Sequence, residues 1–416
     1  MLLVARILQG AGGGALQPIA QAVLLESFPA EKRGAAMAAY GMGIVVAPII
    51  GPTLGGWITD NYSWRWIFYI NIPVGLLAML MAKTFIEDPP YIRSQRPGRI
   101  DFVGFGLMAI GLATLQLVLD KGQEEDWFSS AFIVRSVLIA VVALVAFVIW
   151  ELRTKEPIVN LRVLANRNFA TGTALIATVG VALYGTTALL PLFLQTLLGY
   201  PALQSGLAVS PRGIGAIVSM IIVGRILGKI DGRYLIVFGF AILAVSTYFL
   251  GDIDLEITVR SIAWPQVWSG FALGFVFVPL TVLTTGTLRN EEIGNATGIY
   301  NLMRNVGGSF GIAAVTTMLA RGAQAHQATM VSHLTPYDPV FRERLSEMVA
   351  NFTAHGNVVT ATQQAYGAMY QTLVRQATLL AYIDIFRILA LICLICLPAG
   401  LLFKKVRARG GATPMH

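Results

Sequence analysis

The stretch GIVVAPIIGPTLGGWITD, Gly43 to Asp60, holds two prolines and four glycines in a run otherwise apolar enough for a helix. Read at helical spacing, Gly43, Ala47, Gly51, Gly55 and Thr59 fall four apart, on one slowly drifting stripe. Small residues at that interval let a second helix backbone come close, which is how helices associate where lipid is as apolar as leucine. Pro48 and Pro52 each delete a backbone hydrogen bond, at about 3 kcal/mol in an ordinary helix interior. Inside a membrane bundle, neighbouring helices satisfy the freed carbonyls. The stretch therefore reads as a bent transmembrane helix, with Gly43, Ala47, Pro48, Gly51, Pro52, Gly55 and Gly56 specifying a packing seam.

The rest of the chain agrees with that solvent. Of 416 residues, 56% are hydrophobic and only 12% charged, about half the roughly 25% of soluble domains. Apolar runs long enough to cross a hydrocarbon core of roughly 30 Å recur at 1–27, 36–58, 66–86, 101–119, 131–150, 169–197, 203–227, 234–251, 262–286, 295–320 and 379–403. The fold class is all-α, a polytopic membrane protein in contact with the lipid bilayer.

The net charge of +8 is distributed by topology. If the first run ends inside, alternate inner connections carry eighteen Lys and Arg against seven outside, as the positive-inside rule requires. The excess reports orientation and excludes a nucleic-acid partner. Met1 opens directly into an apolar run, which suggests upstream spans, and Ala20-Gln21-Ala22 imitates a signal-peptidase site in a run too broken by glycine to be one.

Chemistry-bearing motifs are scarce. Cys393 and Cys396 lie inside the last run with no second pair to hold zinc. No phosphate-binding G-x-x-x-x-G-K-[ST] and no H-E-x-x-H occurs. Gly307–Gly311 around Ser309 spells G-x-S-x-G, but within a span rather than a strand-to-helix turn, so helix packing is expected. No enzymatic activity, cofactor or metal is expected.

Five stretches carry a family resemblance. The quoted run is similar to the helix-five antiporter motif of drug–proton exporters in the major facilitator superfamily. ARILQGAGGGALQP, from Ala5, resembles that superfamily's helix-four motif. WRWIFYINIPVG (Trp64–Gly75), EPIVNLRVLANRNF (Glu156–Phe169) and NLMRNVGGSFGIA (Asn301–Ala313) resemble the fourteen-span EmrB/QacA branch. On this resemblance the runs are family helices four to fourteen, and the family's first three helices are absent from this sequence. Residues 1–86 form the second half of the N-terminal bundle and 87–168 the two extra central helices with their loops. Residues 169–403 form the C-terminal six-helix bundle with a long outer loop, 321–378, and 404–416 a cytoplasmic tail.

The resemblance implies efflux of hydrophobic small molecules driven by protons, with alternating access around a midplane cavity. It implies for Arg6, with Gln9 completing the motif, a charge role in step with proton movement. Read from their own spans, Arg304 and Asp384 are further candidates for proton coupling or transport, the rival for Asp384 being a structural ion pair. An intramembrane guanidinium normally faces a cavity or a partner; the rival for Arg6 and Arg304 is snorkelling to the interface. Tyr184, Gln195, Tyr300 and Asn301 are candidate substrate contacts. Asp384 and Arg387, three apart, are expected to pair on one helix face. Arg212, read near an outer end, is expected to reach the interface. GRILGKIDGR (Gly224–Arg233) is a degenerate cytoplasmic-loop motif in which Asp231 and Arg233 either latch helix ends or make a tight turn.

In the outer loop, DPVFRERLSEMVANF (Asp338–Phe352) predicts an amphipathic helix whose apolar face buries against QQAYGAMYQTLVRQ (Gln363–Gln376) or against a partner protein. His326, His333 and His355 are expected to be solvated. A long outer loop at this place implies a periplasmic adaptor protein and an outer-membrane channel, hence a bacterial inner membrane. Two other readings stand beside export: an exporter or importer of one specific metabolite, and a non-transporting membrane fragment.

Overall fold

The computed structural model describes residues 2–29, 31–86, 101–353 and 358–404. Among them there is helix and no strand. The first expected run is two helices, α1 (Leu2–Gly13) and α2 (Leu16–Ser27), interrupted at Gly14 and Ala15. Then come α3 (Arg33–Asn61), α4 (Trp66–Tyr69), α5 (Asn71–Phe85), α6 (Phe102–Lys121) and α7 (Ala131–Arg153). The later part holds α8 (Arg167–Thr196), α9 (Ala202–Val209), α10 (Pro211–Ile226), α11 (Gly232–Leu250) and α12 (Val259–Thr285). It closes with α13 (Asn290–Val331), α14 (Pro339–Thr353) and α15 (Val358–Ile395). Eight stretches of the described residues are long and apolar enough to cross a membrane. The other three expected spans are the broken α1–α2, the proline-bearing α3 and the longer, more polar α13.

Helix ends are set by side chains that take up unpaired backbone donors. Asp101 accepts from Gly104 N (2.9 Å) at the start of α6, and Asn166 accepts from Asn168 N (3.0 Å) and Phe169 N (3.3 Å) at the start of α8. At α13 the Glu292 carboxylate accepts from the Arg289 backbone N–H (3.0 Å), and that bond with the nearby guanidinium holds its carboxyl below the usual range.

The segment 321–378 is not a loop. α13 runs for 42 residues, about 63 Å at 1.5 Å per residue, roughly twice the hydrocarbon thickness. α15 absorbs the Gln363–Gln376 stretch into one helix. The expected amphipathic helix exists as α14 and packs on α15, with Phe341 6.4 Å from Tyr366 between ring centroids. His355 lies outside the described residues, as do 87–100 and nearly all of the expected tail.

The C-terminal helices share a core around Ile176, Val179, Phe240, Val276 and Tyr300. Their backbones meet at glycines. A methyl on Gly180 would strike the carbonyl of Arg304, and one on Gly307 the carbonyl of Ala177, so α8 and α13 lie in backbone contact. Gly307 and Gly311, the ends of the G-x-S-x-G, are therefore packing residues, as expected.

Candidate functional site

A polar cluster crosses from the early helices to the late ones. Arg304 Nη2 donates to Gln17 Oε1 at 2.7 Å, and Asn301 Nδ2 donates to Gln21 Oε1 at 2.6 Å. Gln17 and Gln21 are four apart on α2, Asn301 and Arg304 three apart on α13, so each pair stands on one helix face. Tyr40 on α3 donates to the carbonyl of Gln17 (2.9 Å), steadying α2. Tyr300 shares a hydrogen bond with Thr281 (3.2 Å), tying α13 to α12. Arg304 is 3% exposed and Asn301 4%. Among the described residues no carboxylate lies within ion-pair distance of Arg304. Its charge is held by a neutral amide, and its Nε has no protein partner. The glycine contacts with α8 fix where the guanidinium sits.

Next to Arg304 is a cavity of about 50 Å³ bounded by Gly41, Ile44, Tyr184, Met220, Leu273 and Phe277. It lies where α3 crosses α10 and α12, and its size fits one or two waters rather than a drug. Below it the two groups of helices close on each other. Built methyls on Gly34, Gly224 and Gly41 would come within 2.9 Å of Leu227 and 3.0 Å of Ala38 and Met220. That end carries Lys32, Arg33, Arg225, Lys229 and Arg289.

Of the candidate substrate contacts, Tyr184 borders the cavity. Tyr300 and Asn301 are buried in helix-to-helix bonds, and Gln195 stands exposed near the end of α8. Arg6 and Gln9 hydrogen-bond to each other (2.9 Å) on an exposed face of α1, and the Arg6 guanidinium lies 4.7 Å from the centroid of Phe68 on α4, a cation–π contact.

Several expectations are corrected, and one pair of alternatives is decided. The expected seam on α3 meets no neighbour among the described residues: methyls built on Gly43, Gly51, Gly55 or Gly56 would find none of their atoms within 4 Å, and Ala47 is exposed. The close approach is made instead by Gly34, Ala38 and Gly41, and two residues on from Gly41 the helix has turned by about 200°. The side chains of Pro48 and Pro52 lie outside the described set. Asp384 does not pair with Arg387; its Oδ2 is 2.7 Å from His326 Nε2 on α13, so that histidine is bonded rather than simply solvated. Asp231 accepts from the backbone of Arg233 (3.1 Å), with the guanidinium 3.7 Å away, so the pair caps α11 rather than latching two helices.

Arg212 turns inward instead of snorkelling and is 6% exposed. Its Nη1 donates to Thr187 (2.7 Å), its Nη2 to Thr186 and Ser269 (2.8 Å each). Thr186 and Thr187 donate their own protons to Ala182 and Leu183 carbonyls, which turns their lone pairs to the cation.

The Glu156–Phe169 stretch is a junction of backbone bonds. Asn295 of α13 brackets Asn160, accepting from its N–H (3.0 Å) and donating to its carbonyl (3.1 Å). Asn168 does the same to Lys404, at 2.8 and 3.1 Å. Sequence reasoning missed Gln17 and Gln21. The signal was there, two glutamines four apart in an apolar run, where polar side chains ordinarily face inward.

Comparison with known proteins accounts for this architecture. A family profile described as Major Facilitator Superfamily matches residues 1–312. The fatty acid resistance protein FarB of Neisseria gonorrhoeae is 35% identical over 411 residues, 99% of this chain and 79% of that protein. The multidrug export protein EmrB of Escherichia coli K12 is 37% identical over 412 residues, again 99% and 79%. A colistin resistance protein EmrB of Acinetobacter baumannii is 29% identical over 393 residues, 94% and 76%. With its helices apolar enough to span a bilayer, the chain is a multi-pass membrane transporter belonging to the Major Facilitator Superfamily.

Proposed function

We propose that the protein exports hydrophobic, structurally varied small molecules across a bacterial inner membrane, driven by protons moving the opposite way. The observation that carries the reading is Arg304: a buried cation, held across the seam between two groups of helices by an amide, beside the central cavity. A neutral acceptor can be exchanged for another as the groups move, and a buried charge makes the two arrangements differ in energy. Residues 1–86 and 169–403 are the proposed moving bodies, with the central helices of 87–168 between them. The similarity to multidrug and fatty acid resistance proteins supports the cargo class.

Arg6, Gln9, Arg304 and Asp384 are the proposed charge-handling residues, and Tyr184 the proposed substrate contact. The extramembranous helices offer an apolar groove of about 500 Å³ bordered by Met330, Phe341, Met348 and Met369. That is the proposed meeting place for a periplasmic adaptor, with an outer-membrane channel beyond. In proteoliposomes with an imposed pH gradient, a fluorescent hydrophobic dye should move against its gradient, and stop with a protonophore or with Arg304→Gln. Dye movement unchanged by both treatments would overturn the coupling.

A further inference from the structure

On the side of the C-terminal helices away from the central cavity, α11 and α12 enclose a groove of about 790 Å³, within the size range of small-molecule sites. Toward their basic ends the two helices are locked. A methyl on Gly239 would lie 2.7 Å from Val276 and 2.9 Å from the Phe275 backbone, and Phe238 meets Phe275 edge-on at 5.1 Å. From Phe238 outward the groove is bordered by Val245 and Phe249 on one side and by Trp264, Pro265 and Trp268 on the other. Val245 and Phe249 are 56% exposed and Trp264 64%. In spanning helices, such apolar surface faces hydrocarbon.

The length is informative. Phe238 to Phe249 covers about 16 Å of helix, which is one leaflet of a core roughly 30 Å thick. The mouth is polar, and its charges are mostly acidic. Asp252 borders it, exposed, with no cation in ion-pair distance among the described residues. Ser261 borders it too, and Pro265, lacking an N–H, leaves the Ser261 carbonyl without its usual helical donor. The adjoining loop adds Asp254 and Glu256, with Arg260 the nearest basic residue in sequence. A mouth of acceptors suits a head group that donates several hydrogen bonds. A primary ammonium has three donors, a quaternary ammonium none.

We propose that this groove binds one bilayer phospholipid with a primary-amine head group. One acyl chain lies along Phe238–Phe249 against Trp264 and Trp268, and the ammonium sits between Asp252 and the Ser261 carbonyl. The lipid joins the outer ends of α11 and α12, which the protein leaves apart.

Native mass spectrometry of the detergent-purified protein tests this, with phosphatidylethanolamine, phosphatidylcholine and phosphatidylglycerol of identical chains. One phosphatidylethanolamine should be retained in preference to the other two. Asp252→Asn should lower its occupancy about tenfold, the equivalent of one charge-assisted hydrogen bond. Trp268→Ala should lower it as well, and Leu138→Ala, on an exposed face of α7, should not. Equal retention of the three lipids, or an Asp252→Asn protein that holds phosphatidylethanolamine as the unaltered one does, would overturn the proposal. Asp252 is exposed, so the variant folds.

Discussion

Arg304 on α13 and Gln17 on α2 meet through a 2.7 Å hydrogen bond that spans 287 residues of sequence and joins the two groups of helices. One turn toward the basic end, Asn301 and Gln21 repeat the contact at 2.6 Å. Among the described residues these two rungs are directional bonds across a seam otherwise made by apolar and glycine contacts, so they favour the arrangement in which the basic end is closed.

Replacing both glutamines by leucine should loosen that closure while leaving each group of helices folded. The two bonds, one of them to a charged group, are together worth about 2–4 kcal/mol, enough to change a two-state population tenfold or more. Spin labels at Lys32 and Lys229, both exposed near the closed end, should report a longer distance in the double variant. An unchanged distance distribution would mean that the apolar seam alone holds the end shut.

Glycines on α3 should separate into two kinds. A Cβ built on Gly51 meets no atom within 4 Å among the described residues, and leaving glycine gains up to about 1 kcal/mol of helix propensity. Gly34→Leu forces a larger side chain against Leu227 and should cost about 1–3 kcal/mol by overpacking. Thermal unfolding in detergent should put Gly51→Leu at or above the unaltered protein and Gly34→Leu below it. Loss of dye transport by Gly51→Leu with stability intact would show that the open stripe closes in another conformation.

How far the sequence speaks depends on which physical signal each feature uses. The spans are legible because their length and apolarity are dictated by the bilayer, and the glycine motif of α13 because backbone contact admits no side chain. Azimuth is not legible. Nothing in GIVVAPIIGPTLGG says which way its stripe turns, and the contact falls on Gly34, Ala38 and Gly41 instead. Arg212 was misplaced for a related reason: a nominal position near a helix end says nothing of the hydroxyls on α8 and α12 that draw it inward. The length of α13 escaped because a span's apolar signal ends at the membrane while the helix continues.

The junction before α8 gives an asymmetric pair of variants. Both bonds between Asn160 and Asn295 use the side chain of Asn295 and the backbone of Asn160. Asn295→Ala should lose both, about 1–3 kcal/mol. Asn160→Ala keeps them and gives up only its own bond to Arg162 N. Denaturant or thermal titration should therefore show the larger loss at Asn295, and equal losses would mean that the bracket does not contribute.

At Arg212 the cation and its acceptors should behave unequally. Thr186 and Thr187 already bond to carbonyls of their own helix, so Arg212→Met leaves them satisfied and removes a buried charge. Replacing buried ionic groups by apolar ones of similar volume is often neutral or stabilising. Thr186→Val with Ser269→Ala does the reverse, stripping both acceptors from Nη2 while the charge stays buried. Each lost bond to the guanidinium is worth about 1.5–3 kcal/mol, so the double variant should unfold well below Arg212→Met. If Arg212→Met proves the less stable of the two, the cation supports the bundle in its own right, as a tie among α8, α10 and α12 stronger than its desolvation.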